Sequence, residues 1–166
     1  MQASPATASE TPHPGYRRCV GALLLDRQRR IFIGERTGPL LDAWQMPQGG
    51  VDSGETPAEA ARRELIEETG VETVRPLAES RWWYAYDLPP DLAPRHWQGR
   101  WRGQTQRWFA YEFLGSDDEI RLDRHQPEFR RWRWATPPEV LHLVVPFKQP
   151  VYRLVLEEFS ELLGAA

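Results

Sequence analysis

The sequence predicts an α/β fold, a central mixed sheet with helices on both faces. Three observations carry that reading. Strand-like runs come first, a helix follows the third of them, further strands come next, and two helical stretches close the chain; such an order suits a sheet covered on both sides. The first strand ends in the unbroken apolar run Ala22-Leu23-Leu24-Leu25, which fits a strand shielded on both faces. Between Thr56 and Gly70, capping residues mark both ends of a helix.

Taken in order, residues 16–25 (YRRCVGALLL) read as the first strand, residues 26–30 as a turn, and residues 31–35 (IFIGE) as its partner. A loop holding Gly38 and Pro39 leads to the short strand Trp44-Gln45-Met46, which delivers Pro47-Gln48-Gly49-Gly50 to the helix. Paired glycines there let backbone approach a metal or a phosphate closely. After the helix, residues 79–88 (ESRWWYAYDL) are aromatic-rich and strand-like.

Residues 89–103 read as an exposed loop in which Arg95, Trp97, Arg100, Trp101 and Arg102 interleave. Such residues can stack on a base or simply anchor a long loop. Residues 104–114 alternate as a strand, residues 116–124 form an acidic turn region, and residues 128–135 (EFRRWRWA) are another strand. Thr136-Pro137-Pro138-Glu139 repeats a capping box and starts a short helix through about Leu143, and residues 151–163 have helical apolar spacing.

The chain of 166 residues, with a net charge of −3, suits one domain, residues 16–163, behind a flexible leader, residues 1–15. A broad nucleic-acid surface is not expected at that charge, although a single 5′ end can still be held. No stretch approaches the apolar length of a membrane span, and the leader lacks a basic start and an apolar core, so the expected location is the cytoplasm. The single cysteine, Cys19, agrees with a reducing compartment and reads as a small core residue. Lys148 is the only lysine among the basic residues.

The stretch with chemical content is GGVDSGETPAEAARRELIEETGV, residues 49–71. Thr56 and Glu59 form a capping box with Pro57 at the first helical position, and Gly70 suits the left-handed residue that ends a helix. Ala58, Ala61 and Leu65 supply an apolar stripe, and Glu64, Glu67 and Glu68, at i, i+3 and i+4, crowd the neighbouring side. Like charges at that spacing repel by some tenths of a kcal/mol per pair, and the last two face the negative end of the helix dipole. Alone, the cluster reads either as a solvated acidic face or as a site for a hard divalent cation.

The spacing around it decides more. Gly49, five residues, Glu55, seven residues, Arg63-Glu64-Leu65, one residue, Glu67-Glu68, one residue and Gly70-Val71 resembles the Nudix box at every fixed position. The resemblance implies an α/β/α sandwich enzyme that hydrolyses a diphosphate linked to another group, with the box glutamates on Mg²⁺ or, as a substitute, Mn²⁺. Outside the box, Tyr16-Arg17, residues 44–50 (WQMPQGG), Gly103-Gln104, Gln106 to Phe109, Pro127-Glu128-Phe129, Trp132 to Trp134 and Phe147-Lys148 are similar to the bacterial RNA pyrophosphohydrolase branch of that family. This branch overlaps in sequence with dinucleoside polyphosphate hydrolases.

What the resemblance implies for single residues is as follows. Glu64, Glu67 and Glu68 would bind the metal, joined by the Gly49 carbonyl and by Glu128; Glu68 or Glu64 would serve as general base. Arg17 and Arg36 would lie near the phosphates or the first nucleotide, and Phe147 and Lys148 would hold the terminal base or phosphate, although Phe147 reads equally well as core packing. Glu55 and Arg63 are expected to pair with each other and fix the loop on the helix. The histidines, His13, His96, His125 and His142, lack metal-ligand spacing. Arg18 stands where a proline is common in that branch, and the loop at residues 89–103 is longer than in compact members.

The expected reaction is Mg²⁺-dependent removal of pyrophosphate, or of phosphates stepwise, from the 5′ end of triphosphorylated or diphosphorylated RNA. Hydrolysis of diadenosine tetraphosphate or a related dinucleoside polyphosphate is the alternative, with the same metals and a different base clamp. A nucleotide-binding module without turnover is a third reading, against which the self-repelling glutamate cluster counts.

Overall fold

The computed structural model describes residues 5–38, 43–91 and 97–164. Its strands are β1 (Thr7–Ser9), β2 (Arg17–Leu25), β3 (Ile31–Arg36), β4 (Trp44–Gln45), β5 (Gln48–Gly50), β6 (Val74–Asp87), β7 (Gly103–Phe113) and β8 (Phe129–Ala135). Its helices are α1 (Pro57–Thr69), α2 (Pro137–Leu143) and α3 (Gln149–Glu158). The sheet runs β1-β6-β7-β2-β3-β4, with β5 also on β2 and β8 also on β3. Strands β2 and β7 are parallel and every other strand pairing is antiparallel, so the sheet is mixed, as expected.

Residues 19–25 of β2 are buried throughout because both of its faces are covered. Val20, Ala22 and Leu24 meet Ala60, Ala61 and Leu65 of α1 in one cluster. Leu23 and Leu25 join Val151, Tyr152, Val155 and Leu156 of α3 in the other. Full burial of a side chain such as Leu65 stabilises the fold by about 1.5–3 kcal/mol. Tyr152 ties the second layer to the sheet: its hydroxyl accepts from the Met46 amide at 2.9 Å, and its ring stands edge-on to Trp108.

Strand β2 pairs with β3 only at Leu25↔Ile31, and its earlier residues pair with β5 instead. The sheet therefore splits. One side of the opening carries β5 and α1, and the other carries β3 with β4 and β8.

The structure differs from expectation in four places. Thr7–Ser9, inside the stretch expected to be a flexible leader, pairs with β6 at Trp83 to Ala85. Strand β6 starts at Val74 and not at residue 79; Pro76, which has no N–H to donate, sits at a shift in its register with β7. Helix α3 starts earlier, with Pro150 in its first turn, and gives way to turns after Glu158. On α1, Ala58 is exposed and Ala60 is buried, because the first turn rides at the margin of the sheet. Part of the expected loop at residues 89–103, with Arg95 and His96, lies outside the described residues.

Candidate active site

Helix α1 has the limits its capping residues set. Thr56 accepts from the Glu59 amide at 3.2 Å, and the Glu59 carboxylate accepts from the Thr56 amide at 3.4 Å. Gly70 has φ 75°, and its N–H donates to Ile66 at 2.8 Å. A Cβ at Gly70 would also stand 2.9 Å from the Arg121 carbonyl oxygen, so strain and crowding both exclude other residues.

Arg63 organises the loop ahead of the helix. Its guanidinium donates to both oxygens of Glu55, at 2.8 and 2.9 Å, and to the Gly50 carbonyl at 2.9 Å. The same group reaches Glu64 at 2.7 Å and Glu67 at 3.3 Å. This fork, with the Asp52 amide at 3.0 Å, holds the Glu55 carboxyl down at about 2.

The three box glutamates sit in different surroundings. Glu68 is only 6% exposed and has the Gln48 amide, at 3.1 Å, as its hydrogen-bond donor. Burial above all, then the charges of Glu64 and Glu128, pushes its pKa well up. Glu64 lies directly over β5: a Cβ at Gly49 would fall 2.1 Å from its carboxyl carbon. Burial raises its pKa too, opposed by Arg63. Glu67 is more open, with 43% of its side chain exposed.

The far wall of the opening comes from distant parts of the chain. Arg36 ends β3 and approaches Glu128 at 3.7 Å. Its Nε is buried and has no hydrogen-bond partner among the described residues. Lys148 is 4% exposed and donates to Gln45 at 2.6 Å; burial, then Arg36, brings its ammonium down to about 7, with Glu68 and Glu128 pulling the other way. Phe147 is half-buried, its ring 5.9 Å from that of Tyr86. Arg17 lies against β5, where a Cβ at Gly50 would stand 2.5 Å from its Nη2.

The expected site residues thus gather around one opening. Among the described residues, no three His, Cys, Asp or Glu side chains converge closely enough to hold an ion as they stand. Glu64 and Glu67 instead pair with Arg63, at 2.7 and 3.3 Å. The surroundings nevertheless fit a hard cation. The lack of a side chain at Gly49 lets the Glu64 carboxyl lie directly against the β5 backbone, and the candidate donors are all oxygen.

Sequence reading passed over the polar floor of the opening, formed by Gln45, Gln48, Tyr86, Gln104 and Gln106. The signal was present in Gln104 and Gln106, two amides spaced by two on a strand face that continues with Trp108 and Ala110.

A mixed sheet between helical layers, with a short helix bringing three glutamates to a glycine strand, defines an α/β/α sandwich with an acidic site at the opening of its sheet. The chain belongs to the Nudix family: the NUDIX domain profile matches residues 15–155. Nudix hydrolases generally use divalent metals such as Mg²⁺. The chain is 52% identical over 150 residues to a protein of Dinoroseobacter shibae named RNA pyrophosphohydrolase, covering 89% of this chain and 94% of that one. It is 45% identical over 148 residues to one of the same name from Rickettsia africae, covering 89% and 92%. Among solved structures, a C. elegans Ap4A hydrolase superposes with a TM-score of 0.63 at 17% identity, over 89% of this chain and 99% of that one. A Nudix hydrolase from Nitrosomonas europaea gives 0.64 at 17% identity, over 88% and 89%. These last two likenesses concern the fold. No helix among the described residues is long and apolar enough to cross a membrane.

Proposed function

We propose that the chain is an RNA 5′-pyrophosphohydrolase, which hydrolyses the pyrophosphate linkage at a triphosphorylated or diphosphorylated 5′ end. The observation that carries this reading is the seating of Glu64 over Gly49 and of Glu68 on the Gln48 amide, facing Arg36 and Lys148. Relatives named RNA pyrophosphohydrolase match over most of both chains and supply the substrate class.

The Gly49 carbonyl and the carboxylates of Glu64, Glu67, Glu68 and Glu128 form an oxygen donor set for Mg²⁺, with Mn²⁺ as a substitute. When bound, the ion neutralises the phosphate chain and makes water a better nucleophile. Glu55 and Arg63 hold the loop on the helix. Arg17 and Arg36 bind phosphate oxygens, and the unpartnered Nε of Arg36 supports that role. Phe147 and Lys148 hold the terminal base or its phosphate. Glu64 or Glu68 takes the proton that the attacking water loses. The water oxygen bonds to phosphorus and the bridging P–O bond breaks; pyrophosphate leaves from a triphosphate end, or orthophosphate from a diphosphate end, and the RNA retains its 5′ monophosphate.

A dinucleoside polyphosphate presents the same kind of linkage, with a second nucleoside capping the far end of the phosphate chain and no RNA body beyond the first. Measuring kcat/KM for a short 5′-triphosphate RNA and for diadenosine tetraphosphate separates the two substrates. The expected result is a preference for RNA, and a large preference for the dinucleotide overturns the assignment.

A further inference from the structure

We propose that Gln106 is a positioning residue for this hydrolysis: its buried amide fixes the Gln48 side chain, and with it the Gln48 peptide that holds Glu68. The proposal rests on the hydrolase reading above. Gln106 lies on β7, in register with Cys19 of β2, and is fully buried. A buried amide left without partners is destabilising. An apolar side chain of similar volume would fill this position without any such requirement.

Its partners fix its orientation. The Trp108 indole N–H, which can only donate, points to Gln106 Oε1 at 3.2 Å. The amide nitrogen must therefore face the other way, where it donates to Gln48 Oε1 at 3.1 Å and to Gln104 Oε1 at 2.9 Å. A flipped amide would set nitrogen against the indole N–H, so one arrangement alone satisfies the group. Gln48 must then present its oxygen to Gln106, which turns its own NH₂ outward. The Tyr86 hydroxyl lies near the Gln48 side chain.

The backbone of Gln48 is clamped in β5 against Gly21, and its N–H is the donor to Glu68. The series Trp108, Gln106, Gln48 thus connects the core of the sheet to the most buried carboxylate of the opening. Outer partners of this kind set the orientation of the groups that act on substrate, and their loss typically lowers metal affinity or activity about 10–100-fold.

The test is Gln106→Leu in the full chain, read in three ways. Hydrogen exchange at the Gln48 amide in metal-free protein is expected to quicken at least about tenfold as its alignment with Glu68 loosens. For a 5′-triphosphate RNA, kcat is expected to fall about 10–100-fold with KM within about threefold. The melting temperature is expected to fall by several degrees, because the buried Trp108 N–H and the Gln104 side-chain oxygen lose this partner, while the variant remains folded at assay temperature.

A folded variant with unchanged exchange and unchanged kcat overturns the proposal. If Gln106→Leu does not fold, Gln48→Met removes the acceptor from the other end and is expected to lower kcat equally; wild-type kcat there overturns it too. When both variants fold, the double variant is expected to be no slower than the worse single one, and fully additive losses count against a shared route. Failure of the hydrolase reading is distinguishable, because wild type would then turn over neither RNA nor dinucleotide while the exchange measurement still reports on the series.

Discussion

Replacing Glu68 by Gln is expected to stabilise the metal-free protein while crippling the enzyme. At 6% exposure, with one backbone donor at 3.1 Å and the charges of Glu64 and Glu128 nearby, the Glu68 carboxylate is poorly compensated. Removing such a buried charge recovers about 1–3 kcal/mol. For a chain of this size each kcal/mol moves the melting temperature by about 2–4 °C, so the metal-free variant is expected to melt roughly 2–10 °C higher. The direction with pH follows from linkage. A carboxyl whose folded pKa lies above its unfolded value contributes stability below the unfolded value and loses it as pH rises through the folded one. Metal-free wild type therefore loses stability from about pH 4.5 upward, and the variant lacks that component of the slope. Mg²⁺ reverses the order, raising the melting temperature of wild type more than that of the variant. Turnover falls at least about a hundredfold. Thermal unfolding in chelator and in Mg²⁺, at about pH 5 and about pH 8, reads all of this. A variant that melts lower in chelator, or that gains as much from Mg²⁺ as wild type, refutes the reasoning.

Glu67→Gln, at a side chain 43% exposed, is expected to change stability by less than about 0.5 kcal/mol yet lower kcat at least about a hundredfold; intact turnover removes Glu67 from the metal set. Gly49→Ala places a methyl group 2.1 Å from the Glu64 carboxyl carbon, so calorimetric titration with Mn²⁺ is expected to show affinity weakened at least about tenfold, and wild-type affinity contradicts the assignment. The Cys19 thiol, fully buried and pushed up to about 12 by that burial, is expected to resist an aromatic disulfide reagent at about pH 8 until denaturant is added. Rapid labelling of native protein would show that this end of β2 opens readily.

Legibility in the sequence followed the range of the forces involved. Helix α1 was readable to its last residue because Thr56, Glu59 and Gly70 act within one turn of themselves. The pairing of Glu55 with Arg63 was readable for the same reason. Strand β1 was not: in Thr-Ala-Ser only Thr7 favours a strand, and the segment pairs along the long edge that β6 offers. The start of β6 was hidden by Pro76 and by two shifts of register with β7. Arg17, Arg36, Glu128 and Lys148 were named through resemblance, since no local rule links them; the split of the sheet beyond β2 brings them together. The glutamines of the floor entered only within segments that carry the resemblance and had no role, because nothing in the sequence shows that the amides of Gln45, Gln104 and Gln106 are buried together.

The parallel alignment of β7 beside β2 governs when competence arises. Arg17 cannot find Gln104 until the ribosome has released the whole intervening stretch, and Lys148 emerges later still. Encounters between segments so far apart along a polypeptide are slow to form. Of the cationic groups around the opening, Arg17 and Arg36 emerge before the acidic helix and Lys148 long after it, so a nascent chain displays that helix with its set of cations still incomplete.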